Sequence, residues 1–186
     1  MDINRRELIS GLVALGVAGS ACRGRADADP RARAWYGRLP ADRQRALAAA
    51  VDRVLPGAVA AGAMVYLDYW LTRPPFIFAQ REFDTAALLL NRAAEQRFKK
   101  SFADASGVEA DVVLGLFEKG EIKGKHFDGR EFFKRLVTLT IESYLADPKY
   151  GGNQGQVGWE LARWHHCWYS PRHVDQLAPR VGALPY

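Results

Sequence analysis

The chain has 186 residues, of which 48% are hydrophobic, 25% charged and 11% aromatic. That composition is typical of one globular domain and excludes a disordered chain, a fibrous chain and a large two-domain enzyme. The formal net charge of +5 favours an acidic protein partner over nucleic acid, because the sequence has no zinc-finger spacing, no base-stacking aromatic pattern and no long Lys/Arg run.

The first 21 residues have the pattern of an export signal. Arg5 and Arg6 precede an apolar, Gly/Ala-rich stretch at 8–21 that is too short to span a bilayer comfortably. The segment resembles a twin-arginine signal, with Asn4 in place of the usual Ser or Thr. We therefore predict a signal over 1–21 and a periplasmic protein. The alternative is an ordinary amphipathic helix start with two adjacent arginines.

Two cleavage sites are compatible with this signal. Gly19-Ser20-Ala21-Cys22 resembles a lipoprotein box, in which lipidation of the Cys22 thiol would attach the chain to the membrane, although Gly19 replaces the usual Leu. Ala26-Asp27-Ala28 offers a conventional small-x-small site instead. Both sites remain open. The Pro-, Ala- and Arg-rich composition that follows predicts a flexible tether over 22–38.

Helical periodicity begins near Pro40 and continues with few interruptions. The first predicted helix stops before Pro56, with an apolar face formed by Leu47, Ala50, Val51 and Val54. The second stops at Arg73-Pro74-Pro75, with an apolar face formed by Val59, Ala63, Tyr66, Leu67 and Trp70. The third covers 84–102, with an apolar face formed by Leu88, Ala94, Phe98 and Phe102.

Two cap patterns predict the next two helices. Ser106 lies three residues before Glu109, and Asp128 lies three residues before Glu131, so each cap oxygen can accept hydrogen bonds from the first helical N–H groups. The glycines and lysines of 119–125 are compatible with phosphate binding but predict more simply a solvated connector. The fifth helix stops at Asp147-Pro148, with an apolar face formed by Phe133, Leu136, Val137, Thr140 and Tyr144.

The fold class follows from what these segments share. No segment alternates between apolar and polar residues, as a half-buried strand would, over more than a few positions. We therefore predict an all-α protein, a compact orthogonal helical bundle followed by an extended C-terminal tail that contains aromatic residues and prolines.

A sharp turn is predicted directly after the fifth helix. Pro148 stops the helix, and Gly151, Gly152 and Asn153 permit positive φ. One interpretation is a structural lock on the bundle, with Tyr150 and Trp159 buried, and the other is a docking surface for a partner. The residues assigned to this turn are Tyr144, Asp147, Pro148, Tyr150, Gly151, Gly152, Asn153 and Trp159.

The same region resembles the gluconate 2-dehydrogenase subunit 3 family. The resemblance is carried by Thr140-Ile141-Glu142-Ser143-Tyr144, then Ala146-Asp147-Pro148-Lys149-Tyr150-Gly151-Gly152-Asn153, then Gly158-Trp159. Upstream, residues 49–58, residues 61–63 and Asp68 are similar to the first two helices of the family. The resemblance covers about Leu39 to Leu161, and it predicts a helical accessory-subunit domain over 39–161.

The resemblance implies a non-catalytic small subunit that escorts, stabilises and docks onto a dehydrogenase. The implied catalytic partner is a large FAD-containing subunit of the glucose-methanol-choline type, which oxidises CH–OH groups of sugars or sugar acids. A c-type cytochrome is a further implied partner, and no cofactor is expected in this chain. Small subunits of the family commonly carry a twin-arginine signal for a large subunit that lacks one, and Arg5-Arg6 fits that role.

The sequence departs from the family after Leu161. Trp164, Trp168 and Tyr169 predict an aromatic surface that is buried on a partner, because Trp and Tyr give large contact areas at low entropic cost. Residues 162–186 are therefore predicted to be an extended partner-docking tail.

The same tail supports an alternative. His165, His166, Cys167 and His173 are potential metal ligands, although adjacent histidines point apart in either a helix or a strand. The alternative function is a small periplasmic enzyme or metal-binding protein that uses the His165–His173 cluster.

No catalytic residue is predicted in this chain. The sequence has no phosphate-binding loop, no nucleophile elbow and no zinc-protease motif. The candidate acids Glu142, Asp147 and Glu160 have no marked partner in the sequence. For Glu142 a salt bridge to Arg or Lys is a simpler expectation than a buried acid in a pocket.

Overall fold

Six α-helices account for most of residues 35–162, the part of the chain that the computed structural model describes. They are α1 (Ala41–Val54), α2 (Ala63–Leu71), α3 (Gln80–Phe98), α4 (Gly107–Lys119), α5 (Gly129–Leu145) and α6 (Val157–Leu161). Short 3-10 turns connect them at Tyr36–Arg38, Ile77–Ala79, Phe102–Asp104, Pro148–Tyr150 and Gln154–Gln156. The prediction of a compact all-α fold is confirmed. None of these helices is both long and apolar enough to cross a bilayer.

α1 forms where the sequence predicts it, and α2 begins later than predicted. Pro40 and Pro56 flank α1, and its apolar stripe buries Leu47, Ala50 and Val51. The chain from Leu55 to Gly62 forms turns, because Gly57 and Gly62 have left-handed φ values of 88° and 90°. Val59 therefore lies before α2 rather than on it, which corrects the predicted helix start.

α3 is also shorter at its C-terminal end than predicted. Lys99 has a φ of 59° and stops the helix, so Phe102 lies in the following 3-10 turn. Phe102 is still buried, and its N–H donates to the side-chain oxygen of Asn91 at 3.1 Å. The prediction that Phe102 is part of the core is confirmed, and the prediction that it lies on α3 is wrong.

Both predicted caps form. The Ser106 hydroxyl accepts from the Glu109 N–H, and the Glu109 carboxylate accepts from the Ser106 N–H at 2.7 Å, so α4 begins with a capping box. The Asp128 carboxylate accepts from the first N–H groups of α5. The connector between these helices contains a small hairpin that was not predicted, in which β1 (Lys123–Gly124) pairs antiparallel with β2 (Phe127–Asp128).

The core lies where α1 packs against α3, α4 and α5. Phe132 is at its centre, with ring centroids 5.2 Å from Phe83 and 5.6 Å from Phe117. The face predicted for α5 is confirmed in part, since Leu136 and Thr140 are buried. Phe132 and Leu139 are also buried, whereas the predicted Phe133 and Val137 are half-buried.

Candidate functional site

The predicted turn follows α5 directly and reverses the chain. The Asp147 carboxylate accepts from the Lys149 N–H at 3.0 Å, and Pro148 begins the 3-10 turn. Gly151 ends that turn with a φ of 93°, and its N–H donates to the Pro148 carbonyl at 2.9 Å. These contacts hold Tyr150 in a defined position next to the bundle.

Gly152 is required for a different reason from the one predicted. Its φ is not positive, whereas Gly151 and Asn153 do have positive φ. A Cβ on Gly152 would overlap the Ser143 carbonyl oxygen of α5. The glycine therefore permits two backbone segments to touch, which corrects the prediction of a positive φ at this position.

Asn153 ties the turn to both neighbouring helices. Its side chain is fully buried, donates to the Ala146 carbonyl at 3.0 Å and accepts from the Gly158 N–H at 2.8 Å. Gly158 lies so close to α5 that a Cβ would overlap the Tyr144 carbonyl oxygen. The two hydrogen bonds of the Asn153 side chain thus connect the end of α5 to α6.

The turn also contacts the segment before α2. The Gln154 N–H donates to the Ala61 carbonyl at 2.9 Å, and the Gln154 side chain donates to the Gly151 carbonyl at 3.1 Å. A Cβ on Gly62 would overlap the same Gly151 carbonyl. Two distant parts of the chain therefore meet through backbone contacts with no space for side chains.

Tyr150 and Trp159 are half-buried rather than buried as the lock interpretation predicted. The Tyr150 ring packs against Tyr69 and Trp70 of α2, with centroid distances of 5.4 and 5.7 Å. The Trp159 indole N–H donates to the Leu145 carbonyl at the end of α5 at 2.7 Å. Both rings therefore pack against the bundle and stabilise the turn, and both are partly exposed to solvent. Their role in docking stays a prediction.

Glu142 interacts with a residue that the sequence did not indicate. Its carboxyl interacts electrostatically with the Tyr66 hydroxyl of α2, and no salt bridge to a cation within 35–162 forms, which corrects the expectation for this acid. Burial raises the pKa of Glu142, and the Tyr66 hydroxyl partly offsets that effect. Burial and the nearby Glu142 charge together raise the pKa of Tyr66 to about 12.

Asp68 fixes the point at which the chain enters the bundle. This carboxylate is 1% exposed on α2, and its Oδ1 accepts from the Trp35 and Tyr36 N–H groups at 3.1 and 2.7 Å. The Trp35 ring packs edge-on against Phe83 of the core, so residues 35–38 belong to the fold and not to the flexible tether predicted over 22–38. In the sequence, Asp68 is marked only by the family resemblance. An acid inside the otherwise apolar stretch 63–71 was the signal that it has a structural partner.

Several predicted site residues lie outside residues 35–162. They are Arg5 and Arg6 of the signal, Cys22, and Trp164, Trp168 and Tyr169 of the tail, together with the His165–His173 cluster. Within 35–162, no group of three or more His, Cys, Asp or Glu side chains is arranged to hold a metal ion.

A comparison with protein-family models identifies the chain. The model described as gluconate 2-dehydrogenase subunit 3 matches residues 41–164, which includes every helix described above. A search of curated proteins and a search of solved structures found no match. The chain therefore belongs to the gluconate 2-dehydrogenase subunit 3 family, and it is related to an accessory subunit of a dehydrogenase.

Proposed function

We propose that this chain is the non-catalytic small subunit of a periplasmic dehydrogenase complex. Its partner in this proposal is a large FAD-containing subunit of the glucose-methanol-choline type, which oxidises a sugar or sugar acid. A c-type cytochrome receives the electrons. The small subunit carries the complex through the twin-arginine route, stabilises the large subunit and docks onto it.

The observation that carries this proposal is the family match over 41–164, which includes the turn with the Tyr-Gly-Gly-Asn sequence. The structure supplies a physical reason for that sequence, because Gly152 and Asn153 allow the backbone of the turn to lie directly on α5. A surface built on such contacts is preorganised, and a preorganised surface loses little entropy when a partner binds.

The division of chemistry between the two subunits follows from the proposal. FAD in the large subunit accepts the hydride from the substrate, and this chain supplies contact surface. Asp147 contributes to that surface indirectly, since its carboxylate is used to cap the turn and to pair with Lys149 at 3.2 Å. Glu142 likewise interacts with the Tyr66 hydroxyl.

The escort role is supported by the way the chain enters the bundle. Asp68 and the core hold Trp35 and Tyr36, so the chain that follows the predicted signal enters a folded body at a fixed point. That arrangement suits a route that transports folded proteins.

The experiment uses the full chain expressed with its native partners. With Arg5→Lys/Arg6→Lys, the flavin-containing subunit should stay in the cytoplasm. With the control Arg23→Lys/Arg25→Lys, it should reach the periplasm at the normal level. Flavin and dehydrogenase activity are measured in periplasmic and cytoplasmic fractions. Normal export of the flavin subunit with the first variant would contradict the escort role, and a wild-type chain that binds no flavoprotein would contradict the proposal as a whole.

A further inference from the structure

An exposed aromatic segment connects α2 to α3. Ile77 and Phe78 are 49% and 72% exposed, whereas the next residue, Ala79, is buried. Phe78 is the most exposed aromatic side chain among the residues that the structure describes. An apolar ring in that position costs solvation free energy unless a partner covers it.

A layer of packed rings supports this segment and connects it to the turn. Trp70 lies 6.3 Å from Phe76 and 5.7 Å from Tyr150, measured between ring centroids. Tyr69 lies 5.3 Å from Trp70 and 5.4 Å from Tyr150. Since Phe76 immediately precedes Ile77 and Phe78, the exposed pair follows directly on this layer of packed rings.

Two positively charged residues, Arg73 and Arg81, flank Ile77 and Phe78 in the chain. The Arg73 guanidinium lies 3.9 Å from the centroid of the Tyr69 ring and donates to the Tyr69 carbonyl, so it is held in place. Arg81 is exposed in the first turn of α3. Within residues 35–162, no carboxylate forms an ion pair with either arginine.

Three acids of α3 and of the turn do not pair with these arginines, because each forms an ion pair with another cation. The pairs are Glu82 with Arg135, Asp84 with Arg43 and Asp147 with Lys149. The available cations therefore favour a partner that presents carboxylates of its own.

We propose that these residues form the surface that binds the large dehydrogenase subunit, an inference that rests on the function proposed above. We call it the Phe78 surface, and it consists of Tyr69, Arg73, Phe76, Ile77, Phe78, Arg81 and Tyr150. The partner offers an apolar pocket to the Phe78 ring and carboxylates to Arg73 and Arg81. An aromatic anchor surrounded by arginines is the composition that dominates binding energy at protein interfaces.

The test uses the full chain and the flavoprotein subunit that co-purifies with it, separated and titrated against each other. Phe78→Ser should raise the Kd about 10- to 100-fold. Arg73→Glu/Arg81→Glu should also weaken binding and should reduce its dependence on salt. Far-UV circular dichroism should be unchanged in all variants, because the altered side chains are exposed or lie on the surface.

Matched controls lie at the other end of α3. Val108 is 76% exposed at the start of α4, beside the Lys100–Glu109 ion pair, and Arg97 is exposed in the last turn of α3. α3 has 19 residues and is about 28 Å long, so these positions are far from Phe78. Val108→Ser and Arg97→Glu should leave the Kd within about 2-fold of the wild-type value.

The outcomes separate the inference from the proposed function. If Phe78→Ser bound the flavoprotein with the same Kd as the wild-type chain, the inference would be overturned and the proposed function would stay intact. If the wild-type chain bound no flavoprotein, both would be overturned. Three further results, each with flavoprotein binding unchanged, would assign the surface differently. If Phe78→Ser abolished a dimer seen by light scattering, a second copy of the chain would bind this surface. If it abolished binding to anionic vesicles, the surface would bind lipid. If it made residues 163–186 sensitive to protease, the surface would bind the chain's own tail.

Discussion

Asn153→Ala tests the structural role of the turn most sharply. The side chain is fully buried, and it joins the Ala146 carbonyl of one segment to the Gly158 N–H of another. Alanine would remove both hydrogen bonds, so a buried acceptor and a buried donor would each lose that partner. It would also have to adopt the φ of 48° that Asn153 has in the turn.

The expected loss of stability follows from these three effects. A buried polar group without a partner costs about 1–3 kcal/mol, and a left-handed conformation costs an alanine about 1 kcal/mol or more. The free energy of unfolding should therefore fall by about 3–7 kcal/mol, a large part of the roughly 5–15 kcal/mol that stabilises a typical domain. Gln156→Ala is the matched control, because Gln156 has a φ of 59° but is exposed. It should change the free energy of unfolding by less than about 0.5 kcal/mol, because glutamine and alanine both carry a Cβ in that conformation.

Pulse proteolysis across a urea gradient measures both variants at low protein concentration, with the intact chain quantified on a gel. The midpoint for Asn153→Ala should lie far below that of the wild type, and the midpoint for Gln156→Ala should lie close to it. A loss below about 1 kcal/mol for Asn153→Ala would refute the conclusion that this side chain joins α5 to α6.

Three further perturbations test other parts of the structure. Gly152→Ala should destabilise the chain by about 1–3 kcal/mol or more in the same assay. The control Gly115→Ala, in an open helical position, should stabilise it by about 0.5–1 kcal/mol. Equal effects of the two substitutions would contradict the close contact between Gly152 and α5. Asp68→Ala should release the segment around residue 35, seen as new protease cleavage there with helical content retained, and unchanged cleavage would show that the carboxylate is not needed. Since the pKa of Tyr66 is about 12 in the folded chain and about 10 when unfolded, stability should fall as the pH rises from 10 to 12, and Tyr66→Phe should reduce that fall in urea titrations at each pH.

Local signals in the sequence were enough to predict five of the six helices, whereas the short α6 was not predicted. Proline positions, cap residues and apolar spacing placed α1, α4 and α5 within a few residues of their observed bounds. The errors occurred where tertiary contacts decide the backbone. Val59 has helical spacing, yet Gly62 ends the preceding turns with positive φ because its backbone meets the Gly151 carbonyl.

The candidate site was harder to predict than the helices. The position of the turn could be read from Pro148 and the glycines that follow it, but its partners are far away in sequence. Gln154 meets Ala61, and Glu142 meets Tyr66, through contacts that have no local pattern. The hydrophobic face of α5 was predicted correctly at Leu136 and Thr140 but wrongly at Phe133, because Phe132 and Phe133 are adjacent and the period of a helix alone does not choose between them.

The most direct test of the accessory role is turnover per bound flavin in purified complexes that contain either the wild-type chain or Gly152→Val. The valine side chain would clash with the Ser143 carbonyl, so the yield of complex should fall. Each surviving complex should oxidise its substrate with nearly unchanged turnover per flavin, because the hydride goes from substrate to FAD in the other subunit. A many-fold loss of turnover per flavin in an intact complex would contradict the account, since it would mean that this turn contributes to the active site.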